Sequence, residues 1–309
     1  MTGWEMNKVF LLGANENWIC DRFVSEWYDQ DFNISTKNIH EANVLWLVAG
    51  WCWNQVSPDI LNSKKVIITI HHIVPEKFDE RKKSEFVQRD RFIDLYHVPC
   101  EKTKDQIKPL TEKPIVVSPF WSNQKLWFPI ENKDRLREKY GINQDAFLVG
   151  SFQRDTEGHD LISPKLEKGP DLFCDYVEKL SKEKSQKVEV LLAGWRRQYV
   201  MSRLKGKNIS FYYSELPDFG VLNELYNCLD LYVVAARCEG GPQAIAECSL
   251  SKTPIVSTDV GLASMFLHSQ SIFDENWDAK PNTEHAFSSI QDYTMPAGFE
   301  TFRTVIGDL

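Results

Sequence analysis

The chain has no long apolar run. Its longest, VLWLVAGWCW over residues 44–53, falls short of the roughly 20 residues a membrane-spanning helix needs. The beginning, MTGWEMNKVF, lacks a basic stretch followed by an apolar one, so no secretory leader is expected. The 7 cysteines are scattered and never spaced C-x-x-C, which argues against a zinc site and fits reduced thiols in a cytosol. No G-x-G-x-x-G follows a strand, which argues against a nicotinamide dehydrogenase. Excess positive charge is also missing: the net charge is −8, a poor match for general nucleic-acid binding. No repeat or low-complexity segment stands out. These absences leave a cytoplasmic protein as the expectation.

What is present fits a large globular core. The 309 residues include 10 Trp, and a chain of this length has room for one or two domains. Short apolar runs alternate with charged, helix-compatible stretches, the pattern of a parallel sheet flanked by helices. KVFLLG, NVLWLVAG, KVIITI, DLYHVPC and KPIVVSP read as strands of a first series. FLVGSF, KVEVLLAG, NISFYY, DLYVVAA and PIVSTD read as strands of a second. The fold class expected is α/β, with two Rossmann-like domains facing a cleft. The join is placed in the charged stretch at 131–145. The domains are then 1–145 and 146–283, with a helical tail at 284–309 packing back on the first. Basic clusters at 80–86 and 101–108 read as solvated helix faces. Contact with an anionic lipid surface or a phosphorylated acceptor is the alternative.

The stretch EGGPQAIAEC at 239–248 holds two carboxylates seven residues apart, Glu239 and Glu247, with two glycines and a proline after the first. A strand, Leu231 to Ala236, precedes it. A helix with Pro242 in its first position follows, and must stop by Lys252 because Thr253 precedes Pro254. In open α/β sheets ligands bind beyond the carboxyl ends of the strands. Gly240 and Gly241 let backbone approach a ligand, and the helix N-terminus suits a phosphate. One glutamate at each end of a nucleotide-sugar, with the diphosphate between them, fits this spacing.

EGGPQAIAEC, together with VGSFQRD, LEKGPDLF, YNCLDLYVVAARCEGGPQ and SKTPIVSTDVG, resembles the GT-B-fold retaining glycosyltransferases of family 4. The resemblance is strong over 147–262 and weaker before it. It implies that Arg154 and Lys168 grip the donor diphosphate and offset its growing charge. It implies that Gly240, Gly241, Pro242 and Gln243 form the loop that meets the β-phosphate and sugar, that Glu247 binds the ribose, and that Glu239 faces the sugar. In the first domain it points to His71 as the histidine reaching the transferred sugar. His72 is the alternative, since neighbours at a strand end point opposite ways. Gly13 and Asn15 are the candidates on the acceptor side, in GANENW, where the family often has a glycine pair. Arg237 and Cys238 also depart from the family pattern, which commonly has small or hydroxyl residues there.

The implied activity is retaining, metal-independent transfer from a nucleoside-diphosphate-sugar to a saccharide, lipid-linked or other glycan acceptor. No cofactor beyond the donor is expected, and no metal site. The one D-x-D, Asp29 and Asp31, reads as a solvated helix end. The alternatives are an epimerase or hydrolase of the same fold, and a binding module without catalysis. The base is expected to meet backbone near AGW and FYYSELP; its identity, the sugar and the acceptor stay open.

Overall fold

The computed structural model describes residues 7–16, 19–158 and 160–309. Two compact units divide them: Met1–Trp121 with Met295–Leu309, and Ser122–Thr294. Each unit carries one five-stranded parallel sheet. Among the described residues no helix is long and apolar enough to cross a membrane.

The first unit runs β1 (Val9–Leu12), α1 (Ile19–Gln30), β2 (Val44–Leu47), α2 (Pro58–Ser63), β3 (Lys65–Thr69), α3 (Glu80–Asp90), β4 (Leu95–Val98), α4 (Glu101–Ile107) and β5 (Ile115–Val117). The strands lie in sequence order. A single rung extends the sheet beyond β1: Ser35 bridges Val9, and the Thr36 N–H donates to the Val9 carbonyl (3.0 Å). The chain therefore leaves β1 toward that outer edge and returns to β2 on the other side, which makes β1 and β2 a point of strand-order reversal. The alternation of β2 sorts the core accordingly. Val44 and Trp46 face α1, while Leu45 and Leu47 face α2 to α4.

The second unit runs α5 (Lys133–Lys139), β6 (Phe147–Ser151), α6 (Pro170–Glu183), β7 (Val188–Ala193), α7 (Gln198–Gly206), β8 (Phe211–Ser214), α8 (Phe219–Cys228), β9 (Leu231–Val234), α9 (Gln243–Ser251), β10 (Ile255–Ser257), α10 (Ala263–Phe266) and α11 (Thr283–Ser289). Strand order is β10-β9-β6-β7-β8, so the order reverses between β6 and β9. Helices α6 and α7 cover one face, and α8 to α11 the other. The last helix, α12 (Glu300–Asp308), belongs to the first unit, where Phe302 stacks on Trp46 at 4.9 Å.

The units divide at Trp121/Ser122, not at 145. The charged helix α5 is not a linker. Arg137 on it is buried, donating to the Cys228 carbonyl (3.0 Å) and to Asp230 (2.6 Å). The tail likewise splits. Ala286 and Ile290 pack in the second unit's core, and the first unit takes only the piece from Met295. The stretch NWICDRFVSEWYDQ after the first strand reads as a helix, and its first two residues, Asn17 and Trp18, lie outside the described residues.

Candidate functional site

In the second unit, ligands are expected where strand order reverses, at the carboxyl ends of β6 and β9. The loop after β6 is pinned by a buried ion pair. Arg197 Nε donates to Asp155 Oδ2 (3.1 Å), its Nη1 to the Ala193 carbonyl (3.0 Å) and also to the Ser151 carbonyl, and its Nη2 to Ser151 Oγ (3.2 Å). Asp155 also accepts from the N–H groups of Tyr199 (3.2 Å) and Val200 (3.3 Å) in the first turn of α7. Burial pushes the Asp155 carboxyl up, against the pull of Arg197. Arg154 sits beside this anchor, half-buried, and makes no ion pair among the described residues.

From there the chain makes an excursion closed by the Thr156–Pro164 bridge, and the Lys165 N–H returns to the Asp155 carbonyl (2.8 Å). This brings Lys165 toward Arg154. Burial pulls the Lys165 ammonium down, and the neighbouring Arg154 and Lys168 charges push the same way, against its 3.3 Å pair with Glu167. Leu166–Lys168 then form a 3-10 turn ending at Gly169, whose φ is +62°. A Cβ on Gly169 would stand 1.8 Å from the Ala235 carbonyl oxygen, so only glycine lets this turn lie against the end of β9.

That contact joins the two loops. The Glu167 carbonyl accepts from the N–H groups of Arg237 (2.9 Å) and Cys238 (3.1 Å). Gln153 Nε2 donates to the Lys168 carbonyl (2.8 Å). The Lys168 ammonium then pairs with the Glu239 carboxylate; their side chains are 22% and 9% exposed. Arg237 forks onto Asp171, donating at 2.7 and 2.6 Å, and donates to the Leu166 carbonyl (2.9 Å). Its departure from the family pattern thus ties the loop to the start of α6.

Gly240 to Pro242 lead into α9. Pro242 is the residue before the helix rather than its first member, with extended backbone, and Gln243 opens the helix. The loop rests on Gly261, whose φ is +50°; a Cβ there would lie 2.7 Å from the backbone of Gly240. The preceding strand is Leu231–Val234, two residues shorter than expected, and Lys252 ends α9 as expected. Glu247 is 8% exposed, and its Oε2 accepts from the Tyr226 hydroxyl (2.8 Å). Burial first, and the Glu247 charge second, drive the Tyr226 phenol well above its ordinary range, so it stays a donor. At the end of β7, Trp195 is 48% exposed, with the Arg196 guanidinium 4.3 Å from its ring centroid.

Gly13, Asn15 and His71 lie in the first unit. The Asp21 carboxylate accepts from the N–H groups of Asn15 (2.8 Å) and Glu16 (2.7 Å), and Gly13 leaves it room. His71 follows β3. Its Nε2 donates to the Val48 carbonyl (3.0 Å) and lies 3.6 Å from Cys20 Sγ, and its ring packs against Trp51 and Phe120. His72 is half-buried beside it. Asp31 of the D-x-D is held by Arg303, at 2.8 and 3.0 Å. The sequence does not mark Lys165, Gly169, Arg197, Tyr226 or Gly261 as site residues. Of these, Gly169 in KGP at 168–170 and Gly261 after PIVSTDV carry a visible turn signal.

Residues 161–287 match the family model described as glycosyl transferases group 1. The segment includes Lys168 and the whole Glu239–Glu247 stretch, while Arg154 precedes it. Among curated proteins none matches the chain. Among solved structures, HepE from Anabaena, in complex with UDP and glucose, superposes with TM-score 0.67 at 12% identity, covering 98% of this chain and 97% of that one. Sucrose-phosphate synthase from Thermosynechococcus elongatus gives 0.65 at 13%, covering 92% and 74%. TarM from S. aureus gives 0.55 at 13%, covering 92% and 53%. The chain has the GT-B fold of these structures, and residues 161–287 of its second unit are similar to the model of the glycosyl transferases group 1.

Proposed function

We propose that the protein is a retaining glycosyltransferase moving a sugar from a nucleoside-diphosphate-sugar to a saccharide, lipid-linked or other glycan acceptor, without a metal ion. The observation that carries this reading is the gathering of Arg154, Lys165 and Lys168 at the strand-order reversal, beside Glu239 and ahead of the α9 N-terminus. Three cations and a helix end suit a diphosphate leaving group, and preorganised charge of this kind is often the largest catalytic contribution. HepE, which shares the fold, was solved with UDP-glucose and with UDP and glucose.

In this reading Arg154, Lys168 and the backbone of Gly240 to Gln243 hold the diphosphate. Glu247, oriented by Tyr226, takes the ribose, Glu239 takes the sugar, and Trp195 with the adjoining backbone meets the base. The bond from the anomeric carbon to phosphate breaks while the bond to the acceptor oxygen forms on the same face. The acceptor proton passes to the departing phosphate. We assign Gly13 and Asn15 to the acceptor side and His71 to the transferred sugar. We read the protein as cytoplasmic, with the basic clusters at 80–86 and 101–108 as solvated helix faces and peripheral contact with the inner membrane face as the alternative.

A thermal-shift screen of UDP-, GDP-, ADP- and TDP-sugars tests the reading. A donor at about 100 times its dissociation constant adds roughly 2.7 kcal/mol. Transfer to a glycan acceptor that survives EDTA supports it. Donor binding with no turnover on any acceptor favours the binding module, and turnover of the donor alone to an epimer or free sugar favours the other enzymes.

A further inference from the structure

The first unit has a strand-order reversal of its own, between β1 and β2, and in open α/β sheets ligands bind beyond the carboxyl ends of the strands at such a point. Two segments meet there: residues 13–16 after β1, and the 3-10 turn Gly50–Gln55 after β2. The Ala49 N–H donates to the Leu12 carbonyl (3.2 Å), which ties the two strand ends together. Burial first, then the Glu16 and Asp21 charges, push the Cys52 thiol up, so these carboxylates lie near the turn. Cys52 is buried beneath the turn, while its neighbour Trp51 is 51% exposed. Trp51 is held all the same. Its ring centroid lies 5.7 Å from that of His71, with the planes tilted by 52°. His71 is fixed in turn by its bond to the Val48 carbonyl and by the Thr103 hydroxyl, which donates to the His71 carbonyl (3.1 Å). A large apolar ring, oriented by packing and facing water at the mouth of a sheet, is a surface for a ligand.

The residues around the ring select the ligand's chemistry. Asn15 and Glu16 are exposed on the neighbouring segment, whose backbone is held by Asp21. Residues 13–16, 49–53 and 71–73 contain no Lys or Arg, so the local charge is negative and a phosphate group is disfavoured. A pyranose fits both features. The C–H groups of one ring face rest on the negative face of the indole, and the hydroxyls at the rim donate to carboxylate and amide oxygens. We propose that Trp51 is the platform of the acceptor, which presents a neutral pyranose ring stacked on the indole with its hydroxyls on Asn15 and Glu16. This rests on the glycosyltransferase reading given above, and narrows the acceptor to a saccharide end without phosphate. It also sets the acceptor beside His71, the residue assigned to the transferred sugar, and transfer needs the two reactants side by side.

The test uses the full chain with methyl glucoside, methyl galactoside and methyl mannoside, and with the phosphates of the same sugars. Saturation-transfer NMR reads which ring protons touch the protein and how tightly each sugar binds, and calorimetry reads UDP, GDP, ADP and TDP. The variants are Trp51→Ala, Trp51→Phe and, as control, Phe32→Ala, which removes a ring 68% exposed just after α1. At least one glycoside should bind the parent with saturation concentrated on the C–H protons of one ring face. Trp51→Ala should weaken it about tenfold, and Trp51→Phe, which keeps an aromatic face, by no more than about threefold. Phe32→Ala should bind it as the parent does, and no variant should change nucleoside diphosphate affinity. With a donor present, Trp51→Ala should raise the KM of the acceptor and leave that of the donor. The proposal is overturned if no glycoside binds, if the sugar phosphates bind more tightly than the neutral glycosides, or if Trp51→Ala binds as the parent does. If glycosides bind through Trp51 while none of the nucleoside diphosphates binds, the saccharide platform stands and the donor reading alone falls.

Discussion

Gly169→Ala tests how the fold holds the site. The φ of +62° places this residue in the left-handed region, which costs an alanine about 1–2 kcal/mol. The new methyl would stand 1.8 Å from the Ala235 carbonyl oxygen. A normal carbon–oxygen contact is roughly 3.3–3.6 Å, so the turn must retreat by about 1.5 Å. Both partners are backbone, so no rotamer relieves the clash, and a forced backbone shift of this kind costs about 1–3 kcal/mol more. The sum, about 2–5 kcal/mol, is a large share of the 5–15 kcal/mol typical of a folded protein. The retreat also pulls the Glu167 carbonyl from Arg237 and Cys238, and Lys168 from Glu239. A displacement near 1 Å at a reacting centre costs on the order of a hundredfold in rate. Urea midpoint and donor turnover are measured together, with Gly206→Ala as control, because a Cβ there meets nothing within 4 Å. The reasoning is refuted if Gly169→Ala keeps the parent's midpoint and turnover.

Other consequences are as direct. Tyr226→Phe removes a hydrogen bond to a buried carboxylate, so nucleoside diphosphate affinity should fall by about 1.5–3 kcal/mol with less change in saturating rate; equal affinity would separate Tyr226 from Glu247 function. Asp155→Ala leaves Arg197 buried without its partner and should lower stability by about 3–5 kcal/mol, read from the urea midpoint; a shift under 1 kcal/mol would contradict the pinning role. The Arg237 fork holds the Asp171 carboxyl below the usual carboxylate range. Because its folded pKa is depressed, its contribution is present above the unfolded value of about 3.9 and is lost as pH falls through the folded one. Arg237 is 41% exposed on its side chain, so screening limits the effect to about 1 kcal/mol. Asp171→Asn should therefore be less stable than the parent at pH 7, by a gap that narrows as pH falls through the acidic range, and a gap unchanged by acid would refute the linkage.

The ten described strands were legible because most are short buried apolar runs, as in LYVV and VEVLLA, where burial forces the pattern. The boundary of the units was not. Helix α5 reads KDRLREK, all charge but one, and nothing in that string shows that Arg137 turns inward to the carbonyls of Cys228 and Ala146. The two glutamates of 239–248 were legible because one precedes a helix and the other lies on it. Tyr226 was not, since it reaches Glu247 from a different helix, 21 residues away. Gly169 and Gly261 are two glycines among 15, and their positive φ and close approaches exist only once β9 and the 240–242 loop are in place. Lys165 was hidden by the excursion between Thr156 and Pro164, which folds it back toward Arg154.

The most direct measurement is the affinity for nucleoside diphosphate, with the saturating transfer rate, of Arg154→Ala and Lys168→Ala. Each removes a cation from the place assigned to the diphosphate. Each should lower turnover by about 2–4 kcal/mol of transition-state stabilisation, weaken the diphosphate, and lower turnover more than stability. Parent-like affinity and turnover in both folded variants would contradict the assignment of this loop pair as the donor site.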